Sequence, residues 1–405
     1  MLTIIDVLFM VFSFVNIYFL VLFFILFALE RKNIRNLPDI LSLPFVSVII
    51  PTYNKEKFIT GTIDAVKSLN YPENLKEIIV VDDGSTDRTH DILKKISGIN
   101  LYRKKNGGKA DALNYGIEMA KGGIIACVDA DSYPEKDSLV KAVRFFEDEK
   151  VAGVTVSVLV KNANKFIQKL QKMEYALLVL NRKLMEKLNC IYVTPGPLGL
   201  YRKDNVKKLG GFDTRNMTED IEIAWKLLKG GYKIKMSVDS KVYTDVPDTL
   251  RDWWHQRIRW NVGGIQTALK YSSYFFKNPS NIGMFLLPLF TLSYVLALLG
   301  LAIFLYIAMT TAYDFIFIYM KSVAMGASML DSQTLFMPGI LTIIGSFTFL
   351  VSIFWLKFSL GALKGEISIR KNFLEFAVFL MFYMIVNPFN IVVSTWKLLR
   401  KSYKW

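Results

Sequence analysis

The sequence contains few of the residues that build disulfide frameworks and zinc sites. Its 405 residues include two cysteines, Cys127 and Cys190, and two histidines. Two cysteines cannot form a disulfide framework, and nothing near them has the spacing of metal ligands. Cys127 lies in the apolar run IIACV, so we expect a buried small hydrophobic side chain there rather than a reactive thiol.

Two signatures of nucleotide-dependent enzymes are also missing. The dinucleotide fingerprint G-x-G-x-x-G does not follow the first predicted strand, and the P-loop pattern does not occur. These absences argue against a nicotinamide-dependent enzyme and against a P-loop ATPase.

Apolar residues and positive charge are abundant instead. Hydrophobic residues form 52% of the chain, and the formal net charge is +15. A basic excess is typical of nucleic-acid-binding proteins, but also of the cytoplasmic flanks of membrane helices. We favour the second interpretation because long apolar runs lie at both ends of the chain. The expected partner is therefore a lipid bilayer and not a nucleic acid.

The N-terminal apolar run predicts a membrane helix over residues 1–30. It exceeds the roughly 20 residues that a spanning helix needs. A basic start and a small-residue cleavage site, which mark a cleavable signal peptide, are missing, so we expect a retained helix. The basic residues Arg31, Lys32 and Arg35 follow it, which predicts that the next domain lies in the cytoplasm.

A membrane bundle is predicted for residues 281–405, with apolar segments at 282–309, 336–356 and 373–396. The number of crossings stays open, because three would leave the basic C-terminal end outside, against the positive-inside tendency. Either segment 373–396, which contains an Asn-Pro pair, is re-entrant or interfacial, or the apolar stretch 283–319 holds two crossings.

Residues 45–245 predict an α/β domain. Continuous apolar strands, two of them with polar residues at the C-terminal end, are expected at 46–54, 77–87 and 123–131, alternating with helices at 59–69, 87–96 and 109–120. Ser85 is a plausible cap of the second helix. Such alternation predicts a parallel sheet covered on both faces, with ligands at the carboxyl ends of the strands.

Polar residues converge at those strand ends, where Asn54, Asp82, Asp83, Asp129 and Asp131 lie. The pair in DAD at 129–131 has the oxygen ligands that Mg²⁺ or Mn²⁺ prefers, often shared with substrate phosphates. Ordinary turn chemistry is the alternative for an isolated Asp-x-Asp.

Three further stretches have the composition of site loops. KNGGKADALN at 105–114 opens a helix after two glycines, so that Lys109 can meet a phosphate at a helix N-terminus. TPGPLGLYRK at 194–203 is a rigid loop in which two prolines bracket Gly196. TED at 218–220 places Glu219 and Asp220 before a helix at 221–228 that Thr218 could cap, although acids in a first turn are often only dipole partners.

TLRDWWHQRIRW at 249–260 crowds tryptophan and arginine before the C-terminal apolar region. As a helix it places Trp253, Gln256, Arg257 and Trp260 on one face, with Arg259 at the edge. We expect amphipathic helices over 246–280, with Trp253 and Trp254 seated on the bilayer. His255 receives no catalytic role.

The motifs VVDDGS, DAD, TED and QRIRW, in this order, resemble the processive family-2 glycosyltransferases of GT-A fold. Cellulose, chitin, hyaluronan and poly-N-acetylglucosamine synthases belong to that family. PTYN at 51–54, GKADALN at 108–114 and EYALL at 174–178 extend the resemblance. The sequence departs from some relatives at 195–197, where PGP replaces a Ser-Gly or Cys-Gly pair.

The resemblance implies a role for each motif residue. Asp220 would be the general base beside Glu219, with a pKa raised by burial or by that neighbour. The base and ribose of a nucleotide sugar would be held by Thr52, Tyr53, Asp82 and Asp83, and its diphosphate by Lys109. A divalent cation would bind Asp129 and Asp131, with Asp129 also facing the donor. The acceptor and the departing diphosphate would contact Gln256, Arg259, Trp260 and Gly196.

The expected enzyme is an inverting hexosyltransferase in the plasma membrane, with several crossings and a cytoplasmic catalytic domain. It would use UDP-linked N-acetylglucosamine or glucose to extend a β-linked polysaccharide, with secretion and an accessory subunit left open. The first alternative transfers one sugar to a membrane lipid. The second is a transporter or scaffold with an inactive nucleotide-binding domain, which the intact motif carboxylates disfavour.

Overall fold

The computed structural model describes residues 4–276, 281–325, 340–362 and 373–402. A mixed sheet forms the centre of the domain between the membrane helices. Its strands are β1 (Val46–Thr52), β2 (Lys76–Asp82), β3 (Asn100–Arg103), β4 (Ile124–Cys127), β5 (Ser132–Pro134), β6 (Val151–Val160), β7 (Gly199–Arg202) and β8 (Lys233–Thr244).

Helices flank the sheet and form both ends of the chain. In order they are α1 (Ile4–Glu30), α2 (Ile59–Lys67), α3 (Thr89–Leu93), α4 (Lys109–Met119), α5 (Ser138–Val143), α6 (Phe166–Lys187), α7 (Lys203–Lys208), α8 (Glu219–Lys229), α9 (Leu250–Lys270), α10 (Leu287–Met325), α11 (Ile340–Ala362) and α12 (Phe373–Leu399).

The sheet has a parallel half and a mixed half. Its strand order is β3-β2-β1-β4-β7-β6-β8-β5. Strands β1 to β4 are parallel, whereas β7 is antiparallel to both neighbours and β5 is antiparallel to β8. The predicted parallel sheet is therefore confirmed for the first half and wrong for the second. The regular alternation of one strand with one helix is interrupted after β4, where β5 follows without an intervening helix.

Both faces of the sheet are covered, as the continuous apolar strands predict. Every residue of β1 and β6 is buried. Ile49 packs in one core with α4, α6 and α8, while its neighbours Val48 and Ile50 pack in a second core with α2 and α5. Burying one such side chain is worth about 1.5–3 kcal/mol. The two cores hold the strand ends rigidly.

Two predicted caps are wrong. Ser85 accepts a hydrogen bond from the backbone N–H of Asn54 at 3.1 Å, and α3 begins only at Thr89. Thr218 stands at the N-cap of α8 but makes no side-chain cap bond, and its own N–H donates to Asn216 Oδ1 at 2.9 Å. The Ser85 hydroxyl is used by Asn54 from another loop, and the Thr218 hydroxyl donates to Asn216 in the preceding loop, so neither caps a helix.

Three helices in the described residues are long and apolar enough to cross a membrane, and they are Ile4–Glu30, Ile282–Met325 and Phe376–Leu399. Helix α11 contains a shorter apolar stretch, Ile343–Trp355. The two-crossing alternative for 283–319 is wrong, because these residues form one continuous helix, which begins with a π-helical turn. Helix α12 is likewise continuous through Pro388, which argues against the re-entrant alternative, while the interfacial alternative stays a prediction.

The predicted amphipathic stretch forms α9, which packs against both α8 and α12. Trp253 is 1% exposed and contacts the rings of Phe382 and Tyr383 at 5.2 and 5.8 Å. The prediction that Trp253 is seated on the bilayer is therefore wrong, because α12 covers that face. Residues 277–280 of the predicted amphipathic region and 336–339 of the second apolar segment lie outside the described residues.

Candidate active site

The predicted convergence of strand ends is present in the sheet. Thr52 at the end of β1 lies directly beside Asp82 at the end of β2, and the N–H of Asp83 donates to Thr52 O at 2.9 Å. Just beyond β4, Val128 N donates to Ile49 O at 2.9 Å. The carboxyl ends of β1, β2 and β4 therefore form one edge, and the motif residues follow them.

Asp83 fixes the glycine loop that precedes α4. Its Oδ1 accepts from Gly107 N at 3.0 Å and pairs with Lys104 Nζ at 2.8 Å, and its Oδ2 accepts from Gly108 N at 2.8 Å. Gly108 has a φ of 89°, which favours glycine. Asp83 is 2% exposed, so its charge is used inside the protein to position the start of α4.

Asp82 is also occupied by neighbours within the protein. It is fully buried, accepts from Ser85 N at 2.9 Å and lies 2.9 Å from His90 Nδ1. By contrast, Thr52 Oγ1 is buried with no hydrogen-bond partner among the described residues, and Tyr53 is 45% exposed. The ring of Tyr53 is therefore accessible to a ligand, whereas Thr52 Oγ1 is buried and lacks a partner that the described residues supply.

Lys109 joins three parts of the site from the first residue of α4. Its Nζ lies 2.5 Å from Asp129 Oδ1 and 2.8 Å from Glu219 Oε1. Burial alone would lower the pKa of Lys109, but the carboxylates of Asp129, Glu219 and Asp220 together raise it well above its ordinary value. The ammonium group is therefore charged, and it connects Asp129, which follows β4, with Glu219 at the start of α8.

Asp129 and Asp131 provide the oxygen ligands of the predicted cation site. Each side chain is about a quarter exposed, and Asp131 pairs with Lys55 Nζ at 2.7 Å. No group of three or more potential metal-ligating side chains occurs within the described ranges. Two carboxylates with exchangeable lysine partners suit Mg²⁺ or Mn²⁺ held jointly with phosphate oxygens, so these residues fit such an ion.

Gly196 lies directly against this pair. A Cβ at position 196 would collide with Lys109 Nζ and would stand 2.6 Å from Asp129 Oδ2. A larger residue at this position would therefore require the Lys109 and Asp129 side chains to shift. The loop around Gly196 forms a wall of the predicted site.

Asp220 and Glu219 occupy the first turn of α8. The N–H and the hydroxyl of Thr194 both donate to Asp220 O at 3.2 Å, which fixes the backbone. Burial, together with the charges of Glu219 and Asp129, raises the pKa of Asp220 to about 7, against the opposing effect of Lys109 and Arg259. The predicted direction of the pKa shift and its two causes are confirmed. A carboxylate with this pKa can exchange a proton near neutral pH.

The QRIRW helix brings its residues to the same region with unequal exposure. Arg259 is exposed, and Trp260 is half-buried with its ring 6.4 Å from that of Tyr175. Gln256 Oε1 is buried and has no hydrogen-bond partner in the part of the chain that the structure describes. Arg259 acts on the pKa of Asp220, so α9 and α8 share one electrostatic environment.

Sequence reasoning missed an ionic cluster that joins α6, α9 and α12. Arg257 Nη2 lies 2.6 Å from Glu174 Oε2, which also accepts from the hydroxyl of Tyr383 at 2.6 Å. The Arg257 guanidinium stands 4.1 Å from the Trp260 ring centroid. The motifs EYALL and QRIRW contain Glu174 and Arg257, but nothing in the sequence shows that they pair.

Known proteins resemble this chain in sequence and in fold. The family model described as glycosyl transferase family 2 matches residues 47–210. The poly-beta-1,6-N-acetyl-D-glucosamine synthase of Staphylococcus aureus (strain COL) is 33% identical over 267 residues, which cover 64% of each chain. The enzyme of the same name from Staphylococcus epidermidis is 32% identical over the same length and shares of each chain.

A solved structure gives the corresponding comparison of folds. Mannosyltransferase PcManGT from Pyrobaculum calidifontis, in complex with GDP-Man and Mn²⁺, has a TM-score of 0.55 and 23% identity, and covers 85% of this chain and 99% of its own. This likeness shows a GT-A-like fold, within which the family 2 model matches residues 47–210. The chain spans about two-thirds (64%) of the length of the curated relatives. Asp220 and the QRIRW residues lie beyond the matched range 47–210.

Proposed function

We propose that this chain, which carries a family 2 glycosyl transferase domain, transfers sugar from a nucleotide sugar to a growing β-linked polysaccharide. The observation that carries the proposal is Asp220, a carboxyl with a pKa of about 7 beside the cluster of Lys109, Asp129 and Glu219. A base of this kind at the edge that receives a donor is what an inverting transfer requires.

The transfer follows from the positions of these groups. Asp220 takes the proton of an acceptor hydroxyl, whose oxygen forms a bond to the anomeric carbon of the donor. The bond from that carbon to the phosphate oxygen breaks, and its electron pair leaves with the nucleoside diphosphate. One displacement inverts the anomeric carbon, so an α-linked donor gives a β linkage.

Basic side chains receive the leaving group. Lys109 exchanges its carboxylate partners for the diphosphate, and the exposed Arg259 closes on it from α9, since charge-assisted bonds to phosphate are strong. Asp129 and Asp131 would hold a Mg²⁺ or Mn²⁺ ion that neutralises charge on the diphosphate. Gly196 leaves the room for this arrangement.

The donor and the location are narrower parts of the proposal. The sequence relatives are named as poly-beta-1,6-N-acetyl-D-glucosamine synthases, which supports UDP-N-acetylglucosamine as the donor. Thr52 and Tyr53 would contact its nucleoside. Three helices long and apolar enough to span, and the basic residues after α1, support a plasma-membrane enzyme with its catalytic domain in the cytoplasm.

The test uses the full chain in lipid nanodiscs with Mn²⁺ or Mg²⁺ and a panel of nucleotide sugars. Release of nucleoside diphosphate identifies the donor, and the size of labelled product identifies the acceptor class. We expect turnover with UDP-N-acetylglucosamine, a high-mass product and loss of both with a chelator. A single-sugar glycolipid would replace the polymer with the lipid-transfer alternative, and no turnover with any donor would contradict the proposal.

A further inference from the structure

Arg182 is a buried cation without a carboxylate partner. It lies on α6 and is 2% exposed. Its Nε donates to Leu178 O, one turn earlier in the same helix, at 3.2 Å. Within the described ranges no carboxylate oxygen lies within 4 Å of its guanidinium, and burial lowers the pKa of Arg182 to about 10. A buried charge with so little compensation is unfavourable unless another group satisfies it.

The other buried basic side chains of the described residues are compensated. Lys76 pairs with Glu73 at 3.2 Å, Lys183 with Glu186 at 3.1 Å, and Arg257 with Glu174 at 2.6 Å. Lys183 is the residue next to Arg182 on the same helix and is 5% exposed. Of these two neighbouring residues, Lys183 has a carboxylate partner in the protein and Arg182 has none among the described residues.

The position of Arg182 relates it to the candidate active site. Arg182 and Tyr175 are seven residues apart on α6, so they lie on one face of that helix. The Tyr175 ring is 6.4 Å from that of Trp260. The charge of Arg182 acts within electrostatic range of Tyr192, Tyr175 and Asp220. This face of α6 therefore borders the helix that carries Trp260.

We propose that Arg182 binds the acceptor saccharide, with its guanidinium donating to hydroxyl or amide carbonyl oxygens of the sugar whose hydroxyl faces Asp220. Tyr175 and Trp260 supply aromatic surface for the apolar faces of the sugar. This inference rests on the proposed function and adds a specificity-determining residue to it.

The experiment compares Arg182→Met with Lys183→Met, both in the full chain in nanodiscs. Three quantities are measured, namely the melting temperature, hydrolysis of UDP-N-acetylglucosamine by water, and transfer to a β-1,6-linked N-acetylglucosamine pentamer. In Arg182→Met we expect the KM for the pentamer to rise about tenfold to hundredfold, the range for loss of a hydrogen bond to a charged group. Hydrolysis and the KM for the donor stay near wild type, and the melting temperature is unchanged or higher.

The control and the second variant make the inference falsifiable. Lys183→Met leaves Glu186 paired with Lys235 at 3.1 Å, so it is the matched control on the same helix and should not change the pentamer KM selectively. Arg182→Lys keeps the charge and recovers part of the pentamer affinity. An unchanged pentamer KM in Arg182→Met, or a melting temperature that falls while all rates fall together, overturns the inference.

Failure of the proposed function gives a different pattern. If the wild type transfers sugar to no acceptor, pentamer binding by calorimetry still tests Arg182. Binding that Arg182→Met weakens supports the saccharide site without the enzyme activity. Absent binding, or equal binding by both proteins, overturns the saccharide site as well.

Discussion

At the donor edge the motif carboxylates already have partners in the protein, whereas the acceptor side contains a buried polar group without one. Asp83 holds the glycine loop, Asp129 pairs with Lys109, and Asp131 pairs with Lys55. On the acceptor side, Gln256 Oε1 is buried with no hydrogen-bond partner among the described residues. The donor edge also contains an unpartnered buried atom, Thr52 Oγ1, so the fold positions the donor-edge carboxylates while each side keeps a polar atom for a ligand to satisfy.

Replacing the proposed base gives the largest expected effect, because it lies between the two sides. Asp220→Asn removes the proton acceptor and keeps the shape, so we expect transfer to fall about 10²- to 10⁴-fold. Binding of UDP-N-acetylglucosamine, measured by calorimetry, stays close to wild type. Transfer at the wild-type rate would show that another group is the base.

Breaking the buried ionic cluster tests whether the acceptor side depends on its connection to α12. Glu174→Ala leaves Arg257 buried and unpaired, so we expect a loss of about 3–5 kcal/mol in the free energy of unfolding. Thermal unfolding in nanodiscs measures it. The exposed pair between Lys165 and Asp248 is the control, and Asp248→Ala should leave the melting temperature unchanged. Equal behaviour of both variants would contradict the structural role of Glu174.

Filling the gap at Gly196 tests the preorganisation of the donor edge. Gly196→Ala places a Cβ against Lys109 and Asp129, so we expect Mn²⁺-dependent nucleotide binding to weaken on the order of tenfold to hundredfold, as when groups that orient metal ligands are disturbed. Calorimetry with and without Mn²⁺ measures it. Gly123 has open space where its Cβ would lie, so Gly123→Ala is the matched control and should bind normally. Normal binding by both variants would mean that the loop or the two side chains move to accommodate the Cβ, which would contradict the preorganisation of the donor edge.

A shift in pH dependence is the smallest expected effect. The base acts only when ionised, so kcat/KM should rise with pH up to about 7 and level off above it. Glu219→Gln removes a negative charge that raises the pKa of Asp220, so the rising limb moves to lower pH. Rate profiles of both proteins between acid and mildly alkaline pH measure the shift. If the rising part of the kcat/KM profile stays in place or moves to higher pH, Glu219 does not raise the pKa of Asp220.

Much of the donor edge could be predicted from local patterns. The runs VSVIIPT and KEIIVVD are strands, and their polar residues lie where strand and turn chemistry place them. The partners of those residues could not be predicted. Asp83 was expected to face the donor, but it binds the backbone of Gly107 and Gly108, a contact that forms only after β2 and the loop before α4 come together.

The acceptor side was harder to predict because its contacts connect distant parts of the chain. Glu174 meets Arg257 across 83 residues and Tyr383 across 209 residues. Trp253 is of a residue type that is common at the membrane interface, yet α12 buries it. The type of a side chain predicts whether its surroundings are apolar, but it does not predict whether a lipid or another helix provides them.

The sequence by itself determined the first alternating strands and helices, namely β1, β2 and β4 with α2, α3 and α4, together with the apolar ends and the set of carboxylates and cations, because periodicity, turn residues and apolar runs act over a few residues. Tertiary structure decided the direction of the strands beyond β4, the lysine paired with each aspartate, and the isolation of Arg182. It also decided that Asp220 has a pKa near 7. These properties depend on burial and on charges brought together from separate elements, which no local pattern contains.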